Sequence, residues 1–306
     1  MNGNRNRISI WRMVYPLLVF FGLDLLATFV ITSILAVNMV GESGPEAFLD
    51  PSMQIEIQSE LIQLIYENAN LITLVKCIPA IGLMLLFMHM DKKRLYRSGD
   101  YVTYELPGAL FFLAAAVLGI FAGITGNNII GISGLADKYA ETEEMLAQMT
   151  YSGGLALEII SVVILAPVAE ELVFRGLIFR RLREFTPFTL AAIFSALIFG
   201  FYHGNVIQGI YAFLVGLLCA FVCEKYHSVL ASIALHIGAN GFSVFATESG
   251  VLERYITTDI SYISYIVISA AATLLLLWLV HDKVMPKVLI PARNSTAGAE
   301  DMRSDT

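Results

Sequence analysis

The chain has 306 residues, 57% of them hydrophobic and only 15% charged, with a mean hydropathy of +0.71. A soluble domain runs nearer half apolar and a quarter charged, so this composition argues against one and for an integral membrane protein. The net charge of −7 does not describe one acidic surface, because the charges are segregated along the chain; no nucleic-acid partner is expected.

Eight stretches hold the roughly 20 apolar residues that a spanning helix needs: approximately 14–38, 69–90, 106–126, 153–182, 187–205, 207–224, 228–247 and 260–281. The first is preceded by Arg5, Arg7 and Arg12 and runs on without a cleavage site, so it reads as a retained anchor. Lys92, Lys93, Arg94 and Arg97 follow the second stretch, and Arg180, Arg181 and Arg183 the fourth. Lys225 follows the sixth; Lys283, Lys287 and Arg293 follow the eighth. If all eight cross, every cluster lands on one side, which the positive-inside rule makes cytoplasmic. The opposite side receives Glu42, Glu46, Asp50, Glu56, Glu60 and Glu67, then Asp137, Glu141, Glu143 and Glu144 with Lys138. The expected fold is an all-α polytopic bundle of about eight transmembrane helices with both termini cytoplasmic.

Residues 1–150 read as a three-span extension with acidic outer loops, 151–250 as a core, and 251–306 as a last span with a disordered cytoplasmic tail. The outer stretch 53–66 places its apolar residues at helical spacing and suits an interfacial amphipathic helix. Gly119 and Gly123 suit a close helix contact. Cys77, Cys219 and Cys223 fall in apolar runs, so no disulfide framework is expected.

Ionisable groups at membrane depth need a partner or a job. Glu170 precedes Thr186 by 16 residues and His203 follows it by 17, so both lie about 25 Å along an antiparallel hairpin. His236 lies roughly 16 Å past Lys225, with Asn240 one turn deeper. These depths are read as one inner layer, its site opening toward the cytoplasm. Glu171 and Arg175 share a helix face, as do Phe199 and His203, and His236 and Asn240. Pro167 should kink the helix or open a cavity beside the carboxylates. Asp24 and Lys76 read as a structural pair, or more sharply as part of a proton or substrate path.

No Ser or Cys nucleophile is obviously paired with these histidines, although Ser195 is near. A carboxylate with a neutral imidazole can deprotonate water, the general-base route to amide hydrolysis. A second histidine and an amide can donate to the developing oxyanion. Arg175 would neutralise Glu171 and leave Glu170 as the base. Zinc is a further possibility, since Glu170, His203 and His236 are of hydrolytic ligand type, but HExxH spacing is absent. The metal-free reading is preferred.

With EExxxR at Glu170–Arg175, FxxxH at Phe199–His203 and HxxxN at His236–Asn240, the sequence resembles the CPBP family of CAAX prenyl endopeptidases and bacteriocin-processing or self-immunity (Abi) proteins. The motifs occur in family order over roughly 155–245. The resemblance implies an intramembrane endopeptidase, with Glu170 and His203 activating water, His236 and Asn240 stabilising the oxyanion, and Glu171 and Arg175 organising the site. A peptide or membrane-protein substrate, a lipid environment and a bacterial plasma membrane go with it. The alternatives are a non-catalytic immunity or scaffold protein and a proton-coupled transporter, the latter expected to show inverted repeats.

Overall fold

The structure, a computed structural model, describes residues 10–44, 50–51, 53–151, 153–251, 259–284 and 287–290. Arg5, Arg7, Glu46, Arg293 and the tail beyond residue 290 lie outside the described residues. Eleven helices and one two-stranded ribbon are described. In chain order they are α1 (Ile10–Ser43), α2 (Gln54–Glu67), α3 (Ala69–Ser98), β1 (Thr103–Tyr104), α4 (Ala109–Ile132), α5 (Leu135–Lys138) and α6 (Ala140–Tyr151). The long α7 (Leu155–Arg183) follows, then α8 (Phe188–Tyr202), α9 (Val206–Tyr226), α10 (Val229–Ser249), α11 (Asp259–Lys283) and β2 (Val288–Ile290). The ribbon is antiparallel and ties the segment after α3 to the segment after α11.

The protein is an all-α polytopic membrane bundle. Six helices are long and apolar enough to cross a membrane, or up to seven if α6 and α7, bent 97° to each other, form one span. The count of eight expected from hydropathy is therefore not reproduced. Each expected stretch is helical, but two differ from ordinary spans. Charged Glu158, Glu170, Glu171 and Arg175 interrupt α7, and α8 has only 15 residues, about 22 Å of helix against a hydrocarbon core of about 30 Å.

The charges sort to the two ends of the bundle. At the basic end, Arg12 reaches Asp91 at 3.0 Å and Glu184 at 3.1 Å, and Arg181 reaches Asp91 at 2.6 Å. Arg181 is buried; it also donates to the Arg12 carbonyl and to Tyr15 Oη. Arg183 pairs with Glu224 at 2.7 Å. This network gathers the ends of α1, α3, α7 and α9. At the opposite end lie Glu42, Glu56, Glu60, Glu67, Asp137, Glu141 and Glu144, with Lys138. Helix α2 sits there without a buried residue, as its amphipathic pattern predicts, and touches α6 through Tyr66 Oη and Met145 Sδ at 3.2 Å.

Small residues let α4 and α10 approach closely. A Cβ on Gly119 would sit 1.8 Å from the Leu235 carbonyl oxygen, and one on Gly238 would sit 2.0 Å from that of Ala116. Gly123 faces Ala239 and Tyr211. With no water between lipid-facing helices, such backbone contact is a main source of cohesion. Asn128 donates to Ser269 across the neighbouring α4–α11 contact. Gly238→Val should therefore lower the detergent-solubilised unfolding midpoint by several degrees or abolish monodisperse protein. Gly82→Ala, where nothing lies within 4 Å, should leave the midpoint within about a degree, as expected away from packed contacts.

Candidate active site

Helix α7 carries the site because it is wound irregularly. Two π-helical segments, Ile159–Leu165 and Leu172–Phe179, flank a short α segment, Ala166–Glu171. Such wide turns are frequent at functional sites. In the first of them the Ala166 N–H reaches the Ser161 carbonyl, five residues back. The same step would pair the Val162 carbonyl with residue 167, but that is Pro167 and has no N–H. Asn240 Nδ2 from α10 donates to the Val162 oxygen at 3.0 Å instead. The expected effect of Pro167 thus takes the form of a freed carbonyl that anchors Asn240.

Glu171 is fully buried and accepts from Arg175 Nη1 at 2.8 Å, as its spacing predicts. It also accepts from His236 Nδ1 at 3.0 Å. Room for the guanidinium comes from α9, where a Cβ on Gly216 would stand 2.7 Å from Arg175 Nη2. Its other face lies 4.5 Å over the Phe199 ring. Phe199 in turn meets the His203 and His236 rings edge to face, at 4.9 and 5.6 Å. One aromatic ring therefore spaces the arginine from both histidines.

These contacts define the imidazoles. His203 Nδ1 faces the Phe199 carbonyl at 2.9 Å, and a carbonyl only accepts, so Nδ1 carries the hydrogen. In the neutral ring, Nε2 is then the free acceptor. His236 Nδ1 is held by Glu171 in the same way, and its Nε2 stands 3.9 Å from Glu170 Oε2. Among the described residues Glu170 pairs with no Arg or Lys, because Arg175 is directed at Glu171; its nearest potential cation is His236.

Glu170, His203, His236 and Asn240 line one cavity of about 650 Å³. All four predicted residues converge; Glu171 and Arg175 lie behind the wall. Ser195, by contrast, is buried, donates to the Ala192 carbonyl and does not line the cavity. Lys76 of α3 does line it, with Nζ paired to Asp24 at 2.9 Å and donating to Tyr202 Oη at 3.1 Å. The expected Asp24–Lys76 pair thus forms, and its lysine also reaches the site. The sequence reading missed the rest of the lining, notably Asn127, Gln208 and Ser243. Their only signal was polarity within or beside apolar runs.

Glu170 and His236 lie near the midpoints of α7 and α10, and the rest of the lining on α3, α4, α7 and α10 comes from their acidic-end halves, with Leu146 and Thr150 of α6. The depth count failed because α8 ends at Tyr202, so His203 caps the far terminus of a short helix. A residue about 25 Å from the basic turn is already past the middle of a 30 Å core.

Among the described residues, no three His, Cys, Asp or Glu side chains are grouped to hold a metal ion. His236 has Nδ1 committed to Glu171, and its other nitrogen is 3.9 Å from Glu170, beyond the separation of two ligands of one zinc at about 2 Å each in tetrahedral array. As arranged, the zinc candidates Glu170, His203 and His236 do not form a ligand set.

A helical membrane bundle with a buried Glu/His cavity narrows the class, and comparison with known proteins narrows it further. Residues 152–242 match the family described as type II CAAX prenyl endopeptidase Rce1-like. That span contains all six predicted site residues. The chain is also 27% identical over 173 residues, covering 56% of it and 69% of the relative, to "Putative membrane peptidase YdiL" of Bacillus subtilis (strain 168). No solved structure matches significantly. Together these make residues 152–242 of this integral membrane protein similar to the CPBP family and support a membrane protease at family level.

Arg175→Met would leave Glu171 buried without its arginine and with His236 as its remaining partner, at a cost of up to about 3–5 kcal/mol. The double variant Glu171→Gln/Arg175→Met should regain part of that loss. Denaturant unfolding of the two purified proteins in the same detergent checks this.

Proposed function

We propose that the protein is an endopeptidase that cleaves a peptide bond with water activated by Glu170 and His203. The observation that carries this reading is the shared cavity. Around one space lie a carboxylate with no Arg or Lys partner among the described residues, two imidazoles each held at Nδ1, and a tethered amide. The Glu170 carboxylate, assisted by His203 Nε2, takes a proton from water; the hydroxide attacks the scissile carbonyl carbon, forming the C–O bond and an oxyanion. Asn240 uses one N–H on Val162 and has a second for that oxyanion. His236, held at Nδ1 by Glu171, serves it as an imidazolium through Nε2–H. The proton on Glu170 then passes to the leaving nitrogen as the C–N bond breaks.

In this scheme the activity is metal-free, supported by the ungrouped ligand candidates and by Glu171's hold on His236. A CAAX-type or other peptide remains the substrate class that the relatives' names suggest.

Glu170→Ala and His203→Ala should each reduce cleavage of an internally quenched peptide pool by about 10²–10⁴-fold, the range for loss of a positioned acid–base group. Their unfolding midpoints should stay near wild type. Undiminished cleavage by either well-folded variant overturns the mechanism, and absence of cleavage by the wild-type protein favours a non-catalytic role. Elemental analysis of active protein should find no stoichiometric zinc; zinc lost together with activity overturns the metal-free scheme.

A further inference from the structure

The turn between α8 and α9 carries more than His203. It consists of His203, which closes α8, Gly204 in the left-handed region at φ 71°, and Asn205, which opens α9. One amide, that of Asn205, makes three hydrogen bonds there. Its Oδ1 accepts from the Gln208 backbone N–H at 2.8 Å. Its Nδ2 donates to the His203 carbonyl at 3.1 Å and to Gln208 Oε1 at 3.0 Å.

These bonds fix the orientation of both side-chain amides. A backbone N–H only donates, so the Asn205 atom it meets is the oxygen and the other is the nitrogen. That nitrogen also only donates, so the Gln208 atom it meets is again the oxygen. Gln208 Nε2 is the end left over, and it has no hydrogen-bond partner among the described residues. Gln208 lines the cavity that holds Glu170, His203, His236 and Asn240, whereas Asn205 does not. The oxygen end is thus turned from the cavity, and the two N–H donors of Nε2 border it.

Helix capping explains only half of this arrangement. Asn205 is the N-cap of α9 and Gln208 the third residue of its first turn, the spacing of a capping box. A glutamate at that position would accept from Asn205 equally well and would suit the positive end of the helix better. What glutamine adds is a donor, and a peptide bound in the cavity brings main-chain carbonyls that need one.

We infer that Gln208 is a substrate-binding residue: its Nε2–H donates to a main-chain carbonyl of the bound peptide other than the one attacked. Asn205 is the positioning residue that holds this donor and the His203 turn in one register. The inference rests on the peptidase reading. The probe is a peptide selected from a random pool by capture on the Glu170→Gln protein, then made with one fluorophore for anisotropy and as a quenched pair for cleavage. In the Glu170→Gln background, Gln208→Glu keeps the cap acceptor and removes the donor. Its unfolding midpoint should match or exceed that of the parent, while Kd rises about 3- to 10-fold, the size of one lost hydrogen bond. Asn205→Asp keeps the cap but offers a second oxygen to Gln208, whose amide then turns its own oxygen to the cavity; Kd should rise equally. In the otherwise wild-type protein, Gln208→Met should raise KM by the same factor with kcat within about twofold, as when binding common to ground and transition states is lost. Replacing the peptide's amides singly by trans-alkenes should reveal one position that costs this factor in wild type and little in Gln208→Met. An unchanged KM in Gln208→Met, a fall in kcat alone, or no coupled alkene position overturns the inference and leaves the peptidase reading intact. Weakened binding as expected, without cleavage by the wild-type protein, retains the Gln208 contact and overturns the peptidase reading. A pool that yields no captured or cleaved peptide overturns both.

Discussion

A carboxylate with no exposed surface, in the middle of a lipid-embedded helix, has to be neutralised by its neighbours, and much of the site follows from how Glu171 is neutralised. Its oxygen Oε1 collects Arg175 from its own helix and His236 from α10. The first contact explains Gly216, the only kind of residue that leaves the guanidinium its space, and Phe199, whose ring covers it. The second sets the His236 tautomer and turns Nε2 toward Glu170. One ionic contact therefore orders an arginine, an aromatic spacer and both histidines. It also leaves Glu170, the adjacent residue, without an arginine. Two neighbouring glutamates thereby acquire different chemistry: one is buried and paired, the other borders the cavity.

The winding of α7 supplies the second constraint. A regular helix would close the Val162 carbonyl onto a backbone N–H. The π step shifts that demand to position 167, where proline cannot meet it, and Asn240 crosses from α10 to do so. The irregularity costs α7 a backbone bond and returns a fixed amide at the cavity wall. Fold and site are thus coupled: the same contact ties α7 to α10 and aims a polar side chain.

Much of this was legible in the residues. The Glu171–Arg175 pair followed from i,i+4 spacing, the Asp24–Lys76 pair from two unexplained charges in apolar helices, and the α4 contact from Gly119 and Gly123. The convergence of Glu170, His203, His236 and Asn240 followed from counting along helices. What failed was the step from contour length to membrane depth. Counting assumes that each helix spans fully, and α8, at 15 residues, does not. The same assumption produced the count of eight ordinary spans. The lining beyond the motifs, from Lys76 to Thr247, was hidden for a different reason: scattered polar residues at helix ends carry no periodic signal.

The sequence by itself determined the class of fold, the segregation of charge between two ends and the identity of the groups that meet, because hydropathy, helical spacing and the cost of a buried charge act locally along the chain. Only the tertiary structure decided which oxygen of Glu171 serves two partners, which ring nitrogens are free, and that Lys76 reaches the same cavity. Those are settled by how helices of unequal length stack and by the partner that α10 supplies to the Val162 carbonyl, and neither is encoded at any single position.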